Sequence, residues 1–325
     1  MTTASAYFSL IIPTRDRAEL FKLALDSVLV QSFEDKEVIV VNDGSTGASL
    51  DAYKALEAVY PAVTFLYLPN RPNGHGQSYA MNYGVSHCSG KYIGFLDDDD
   101  YWTDPAHLSR AHASLSAQPE VELYYTNQKA FFFDGSENTK HVWLDYLDDQ
   151  LAGKPQDSEM STEVDVPFLL TSPGFAHLNC SIFKRELFDR IKGLDENIRY
   201  ENDRDVFIRS IDSAHKILFN PAYVSRHHIP NHNDASNMST IVSANQKRLY
   251  QLQIYDKGAL FASKEAIRDF CMIGKGWVMK AIAEDFAANA NFKLASWYAR
   301  QALAALPSVK WRLYCYYLRL RSLSR

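Results

Sequence analysis

The chain has 325 residues, 46% hydrophobic and 22% charged, with a formal net charge of −5. That length suits one large α/β domain plus an appendage, and that charge gives no reason to expect a nucleic acid partner. Four scattered cysteines, Cys88, Cys180, Cys271 and Cys315, show no CxxC spacing, which argues against a disulfide framework or a zinc site and fits a reducing compartment.

The N-terminal apolar run is a few residues long and follows no basic stretch, so it reads as a buried strand and not as a signal peptide. No stretch approaches the roughly 18 apolar residues that span a bilayer. A cytoplasmic location is expected, or a peripheral one at the inner face of the membrane. Residues 7–12 (YFSLII) form the first predicted strand, ending at Pro13. Residues 18–31 carry apolar side chains at a helical period, and 37–41 (EVIVV) form a second buried strand stopped by Asn42-Asp43-Gly44-Ser45. A helix is predicted at 50–59, a strand at 63–68, a helix at 77–86 and a strand at 91–96 (KYIGFL). Strands alternating with helices at this spacing imply a mostly parallel central sheet flanked by helices.

Residues 122–133 read as a further strand, and the polar, acidic stretch 134–166 as a long insertion or loop. A short strand follows at 180–183, with helices at 185–191 and 203–214. The stretch RHHIPNHNDASN reads as a polar loop, after which the chain is rich in helix. The expected division is therefore 1–238 and 239–325, the second part being a C-terminal helical region.

Five polar clusters carry chemistry. Asp97-Asp98-Asp99-Asp100 follow the apolar strand KYIGFL, where ligands bind in open α/β sheets. Four adjacent carboxylates repel one another, and holding Mg²⁺ or Mn²⁺ is the simplest use for them; an acidic surface loop is the alternative. Asp43, at a second strand end, is able to accept a base N–H, although NDGS is also good turn chemistry. Pro13-Thr14-Arg15-Asp16-Arg17 ends the first strand, and Arg suits phosphate. Asp203, within Glu201-Asn202-Asp203-Arg204-Asp205, is either a helix cap or a general base. Arg226-His227-His228-Ile229-Pro230-Asn231-His232 offers three imidazoles, as ligands or as solvated side chains.

Residues 309–325 contain Lys310, Arg312, Arg319, Arg321 and Arg325, no acid, and several aromatic residues. A helix of this kind suits an anionic membrane surface; the alternative is packing on its own domain or on a partner in a homodimer.

In order along the chain, SLIIPTRDR, ALDSVLVQSFEDKEVIVVNDGST, NGHGQSYAMNYGV, SGKYIGFLDDDDYWTDP and FKRELFDRIKGLDENIRYENDRDVFIR resemble the family 2 glycosyltransferases with the GT-A fold, of the bacterial cell-surface polysaccharide type. The resemblance covers roughly residues 7–236. It implies a Rossmann-like GT-A domain and inverting, metal-assisted transfer from a nucleotide-diphosphate sugar to a hydroxyl of a glycan or lipid-linked acceptor. By position, Pro13, Thr14 and Arg15 line the nucleotide pocket and Asp43 reads the uracil edge of a UDP-sugar. Asp99 holds the metal, with Asp97 or Asp98 near ribose or donor sugar. Asp203 is the base, in phase with Asp205 and Arg209, and His228 makes a late metal or diphosphate contact. Asn42, Met81 and Asn202 depart from the family pattern, and Arg71 is the candidate to replace the cation missing at Met81. A GT-A-like nucleotidyltransferase and a non-catalytic nucleotide-sugar or glycan-binding module are the rival readings. The former normally shows a glycine-rich phosphate loop, which PTRDRAE lacks.

Overall fold

The computed structural model describes residues 6–140, 142–231 and 238–323, in two compact units, Met1–Asp234 and Ala235–Arg325. The junction between the units, His232 and Arg325 lie outside the described residues.

The first unit opens with β1 (Phe8–Thr14), α1 (Ala18–Leu29), β2 (Lys36–Asn42), α2 (Gly47–Val59), β3 (Thr64–Tyr67), α3 (Gln77–Ser86) and β4 (Tyr92–Phe95). These strands run parallel in the order β3-β2-β1-β4. Every residue of β1 and β4 is buried, as expected of parallel strands covered on both faces. Helix α1 turns Phe21, Ala24, Leu25 and Val28 inward, one stripe at the helical period. Helix α3 approaches the sheet so closely that a Cβ on Gly84 would lie 2.7 Å from Ile11 Cγ2, so this position holds a glycine for space.

The chain continues through β5 (Tyr101–Trp102), α4 (His107–Ala117), β6 (Leu123–Phe132), β7 (Thr162–Val164), α5 (Val166–Leu169), β8 (Ser181–Lys184), α6 (Arg185–Arg190), α7 (Asn202–Ser213) and β9 (Ile217–Ile229). The sheet extends as β4-β8-β6-β9-β5, with β7 on the side of β9. Strand β8 is antiparallel to β4 and β6, while β6 and β9 run parallel.

Two expectations are corrected. The stretch 134–166 is not a plain polar loop: it contains a 3₁₀ segment at Leu144–Gln150 and β7, with Leu144 and Leu147 fully buried. The residues from Arg226 to Ile229 are not loop either. They close the 13-residue β9, with Arg226, His227 and His228 opposite Lys129, Ala130 and Phe131. Pairing with β6 satisfies their backbone, so polar side chains in a strand are compatible with strand geometry where they line a site.

The second unit contains α8 (Met238–Ile241), α9 (Ala244–Phe261), α10 (Glu265–Ala288), α11 (Phe292–Ala305) and α12 (Val309–Leu323). Helix α9 starts on a capping box made by Ser243 and Gln246. Helix α11 presents a fully buried stripe of small residues, Ala295, Ala299 and Ala302, in one cluster with Ala283, Trp311, Cys315 and Leu318. The Trp311 indole Nε1 donates to the Ala299 carbonyl at 2.9 Å. Among the described residues no helix is long and apolar enough to cross a membrane.

Candidate active site

Strand register gathers the polar clusters. Thr14 pairs with Asn42 and Ile11 with Phe95, so β1, β2 and β4 end at one edge of the sheet. There Pro13-Thr14-Arg15, Asn42-Asp43 and Asp97-Asp98-Asp99-Asp100 converge.

The four aspartates are held apart by different partners. Thr14 Oγ1 donates to Asp98 Oδ2 at 2.7 Å, and Arg17 Nη1 lies 2.7 Å from Asp99 Oδ2 and 3.4 Å from Asp98 Oδ1. Asn179 Nδ2 donates to Asp100 Oδ2 at 2.6 Å, while Asn179 Oδ1 accepts from the Asp97 amide at 3.0 Å. His227 Nδ1 donates to Asp100 Oδ2 and the His228 amide to Asp100 Oδ1, both at 2.7 Å. Burial, opposed by Arg17, pushes Asp98 up to about 6. Burial and the neighbouring Asp100 hold Asp97 well above the usual carboxylate range. Against the upward push of burial, the cationic His227 and its hydrogen bond hold Asp100 well below that range. Burial works against His227 too, and the Asp100 charge outweighs it, raising the imidazole to about 9. The cluster thus sets four carboxylates against two cationic side chains, Arg17 and His227, and is short of positive charge.

Carboxylate oxygens of Asp97, Asp99 and Asp100 all lie within 4.8 Å of one another, as do ligand atoms of Asp100, His177 and His227. Of the β9 histidines, His227 therefore stands in such a group. His228 presents Nδ1, without a hydrogen-bond partner, 3.8 Å from Asp100 Oδ1.

Asp203 sits in the first turn of α7, after Glu201, which adopts a left-handed conformation with φ 55°. The Arg204 amide donates to Asp203 Oδ1 at 2.9 Å. Burial first, then the Glu201 charge, pushes Asp203 up to about 7. Asp205 Oδ2 accepts from Arg209 Nη2 at 2.6 Å, and Arg209 also donates to the carbonyls of Ile191 and Gly193, which ties α7 to the turn that follows α6. His177 links the two halves of the site: its Nε2 lies 3.8 Å from Asp97 Oδ2 and 3.8 Å from Asp203 Oδ2. Its Nδ1 accepts from the Asn179 amide at 3.3 Å, which assigns the proton to Nε2. Burial lowers this imidazole to about 3 and keeps it neutral.

On the β2 side, Asp43 accepts from the His75 amide at 2.8 Å, from the His75 ring Nδ1 at 2.8 Å and from the Gly76 amide at 3.0 Å. Arg15 Nη2 donates to the Arg71 carbonyl at 2.9 Å. A Cβ on Gly74, at φ +62°, would lie 2.4 Å from both Arg15 Nη1 and Asp43 Oδ2. The side chains of Arg15 and Asp43 thus close on the 71–76 loop. Arg71 is exposed and enters this arrangement through its carbonyl. Asn42 Oδ1 caps the turn by accepting from the Ser45 amide at 2.8 Å, and Met81 is fully buried in α3.

His75, His177 and Asn179 belong to the site geometry but were not singled out from the sequence, and Arg17 and His227 stood in two of the polar clusters without a role of their own. A polar His-x-Asn inside the apolar run FAHLNCSIF is the one signal for His177 and Asn179. The model of the family described as "Glycosyl transferase family 2" matches residues 9–192.

The chain belongs to glycosyl transferase family 2.

This family 2 member is 34% identical over 100 residues to the uncharacterized glycosyltransferase YibD of Escherichia coli, a match spanning 31% of this chain and 28% of that protein. It is 40% identical over 128 residues to the chondroitin synthase of Pasteurella multocida, across 39% of this chain and 13% of that one. Each match therefore spans less than a third of the relative. Among solved structures, S. aureus TarS 1–349 in complex with UDP-GlcNAc superposes with a TM-score of 0.64 at 18% identity, covering 97% of this chain and 88% of that chain. The likeness is one of fold: the GT-A arrangement of a mostly parallel sheet flanked by helices, with C-terminal helices following.

Proposed function

We propose that this family 2 glycosyltransferase moves a sugar from a UDP-sugar to a hydroxyl of a glycan or lipid-linked acceptor. The transfer inverts the anomeric carbon and uses a divalent cation, Mn²⁺ or Mg²⁺, at the donor diphosphate. Residues 1–238 carry the chemistry in this reading and 239–325 form a helical extension. The observation that carries it is the position of His177 Nε2, 3.8 Å from Asp97 and 3.8 Å from Asp203. A carboxylate with a proton affinity near neutrality stands across one imidazole from a carboxylate cluster short of positive charge. The UDP-GlcNAc in the TarS complex supports a UDP-linked donor, and the name of the chondroitin synthase supports a polysaccharide product.

The donor set fits a hard cation, because carboxylate oxygens are the ligands such ions take and three of these carboxylates converge. Asp99, with Asp97 and Asp100, would hold it; on β9 His227 lies nearer to Asp100 than His228, whose Nδ1 at 3.8 Å would serve a late metal or diphosphate contact. When bound, such an ion supplies Lewis-acid neutralisation of the leaving diphosphate. Pro13, Thr14 and Arg15 line the nucleotide side, with Asp98 beside the ribose. Asp43 takes a uracil N–H in exchange for one of its 75–76 loop donors. Arg71 contributes by holding Arg15. Asp203 removes the acceptor hydroxyl proton while that oxygen bonds to the anomeric carbon from the face opposite UDP, and the electron pair of the breaking bond leaves with the diphosphate. The neutral His177, aiming Nε2–H between Asp97 and Asp203, orients the base without competing for its proton.

Incubation with Mn²⁺ and a panel of UDP-sugars, read by UDP release and by NMR of the product linkage, tests this. A β-linked product from an α-linked donor is expected. UDP binding without turnover of any donor would leave a binding module, and pyrophosphate release from a nucleoside triphosphate would make the protein a nucleotidyltransferase.

A further inference from the structure

Helix α12 has two apolar faces. One carries Trp311, Cys315 and Leu318, which are buried against Ala295, Ala299 and Ala302 of α11. The other carries Val309, Leu313, Tyr316, Leu320 and Leu323, each between 60% and 77% exposed. These five recur at alternating steps of four and three, which puts them in one line on the helix. At 100° per residue that line falls opposite the buried one. Lys310 and Arg321 flank it on one side, and Arg312 and Arg319 on the other. The helix contains no acid, although the whole chain carries a net charge of −5.

We propose that this outer face of α12 is a docking surface for an anionic phospholipid bilayer. The stripe would sink to the level of the acyl chains, and the flanking Lys and Arg side chains would reach up to the headgroup phosphates, the arrangement of interfacial helices. Arg321 already stacks its guanidinium 4.3 Å from the Phe292 ring and donates to the Tyr317 hydroxyl at 3.0 Å, so its charge is held at the rim of the stripe. Charge complementarity selects this occupant over a second copy of the chain. Two such helices paired along their stripes would bring Arg and Lys rows against Arg and Lys rows, with no acid on either to offset the repulsion. The surface does not depend on the transfer reaction, and its test does not use activity.

The full chain is sedimented with vesicles of phosphatidylcholine alone and of phosphatidylcholine containing phosphatidylglycerol. Pelleting is expected with the anionic vesicles only, weakening as salt rises. The variant carrying Arg312→Gln and Arg319→Gln is expected to bind about 25-fold more weakly, at about fivefold per charge. The variant carrying Leu313→Ser and Leu320→Ser, which touches only the exposed stripe, is expected to lose pelleting while its circular dichroism and melting stay unchanged. Equal binding to both vesicle types, no binding to either, or full binding by the serine variant would overturn the proposal. So would a concentration-dependent dimer in sedimentation velocity that the serine variant abolishes, since the stripe would then be a contact between copies.

Discussion

Replacing Asp203 with Asn separates the stability of this protein from its chemistry. Burial lifts the Asp203 carboxyl from 3.8 to about 7, and its side chain is 14% exposed. That difference corresponds to about 4 kcal/mol held against the ionised form in the folded chain. The sign follows from linkage: the folded value lies above the unfolded one, so the penalty is absent below about pH 4, grows with pH and is complete above about pH 7. Asn is isosteric and never ionises, so Asp203→Asn escapes the penalty. The variant should melt higher than the wild type at pH 8, and the gap should widen by about 2 kcal/mol between about pH 5.5 and pH 8. For a unit of this size 1 kcal/mol moves the midpoint by roughly 2–4 °C, which differential scanning calorimetry at the two pH values resolves. The same variant should keep UDP binding and lose about 10²–10⁴-fold in transfer, because a general base contributes that much. Wild-type transfer should fall about tenfold per pH unit below 7 as the base takes up its proton. A variant that transfers at the wild-type rate refutes the assignment of the base. A melting gap that is the same at both pH values refutes the buried, raised carboxyl.

Three further substitutions probe the rest of the site. Asp99→Ala should weaken donor binding in the presence of Mn²⁺ and leave metal-free UDP binding unchanged, which titration calorimetry with and without the ion measures. His177→Gln keeps a donor of similar reach but loses the fixed imidazole; it should lower kcat by about tenfold with little change in donor KM, since orientation of the base and not donor affinity is removed. An unaltered kcat would reduce His177 to a packing residue. Gly74→Ala places a methyl 2.4 Å from Arg15 Nη1 and Asp43 Oδ2 at a positive φ. It should cost about 1–2 kcal/mol of stability and weaken UDP binding together, as read by melting and calorimetry; a stable variant that binds UDP normally would show that the 71–76 loop is not part of the nucleotide side.

The first half of the sheet was legible because each of its strands is an unbroken apolar run ending in a polar cluster. Tyr92–Phe95, then Leu96 and four aspartates, announce a buried strand that ends in a carboxylate cluster. Asp203 was legible as a helix-entry carboxylate, but its burial and raised proton affinity were not, because residues far away in sequence bury it. The pairs Arg17–Asp99 and His227–Asp100 join residues from distant elements, and no periodicity encodes them. Strand β9 was hidden because Arg226, His227 and His228 make its end look like loop chemistry, whereas its partner β6 fixes the backbone there. The insertion at 134–166 hid its structure for a related reason, since a few buried residues such as Leu144 and Leu147 organise a stretch that is polar on average.

The grip of Asp43 on His75 and Gly76 has a consequence for affinity measurements. Any base N–H that Asp43 accepts competes for its lone pairs with three donors already in place. A measured nucleotide dissociation constant then contains the equilibrium for releasing such a donor, and equals the intrinsic constant divided by the fraction of molecules in which the loop has let go. Shortening that hold, for example with His75→Ala to remove the ring donor, should make binding of UDP tighter even though a residue beside the pocket has been lost.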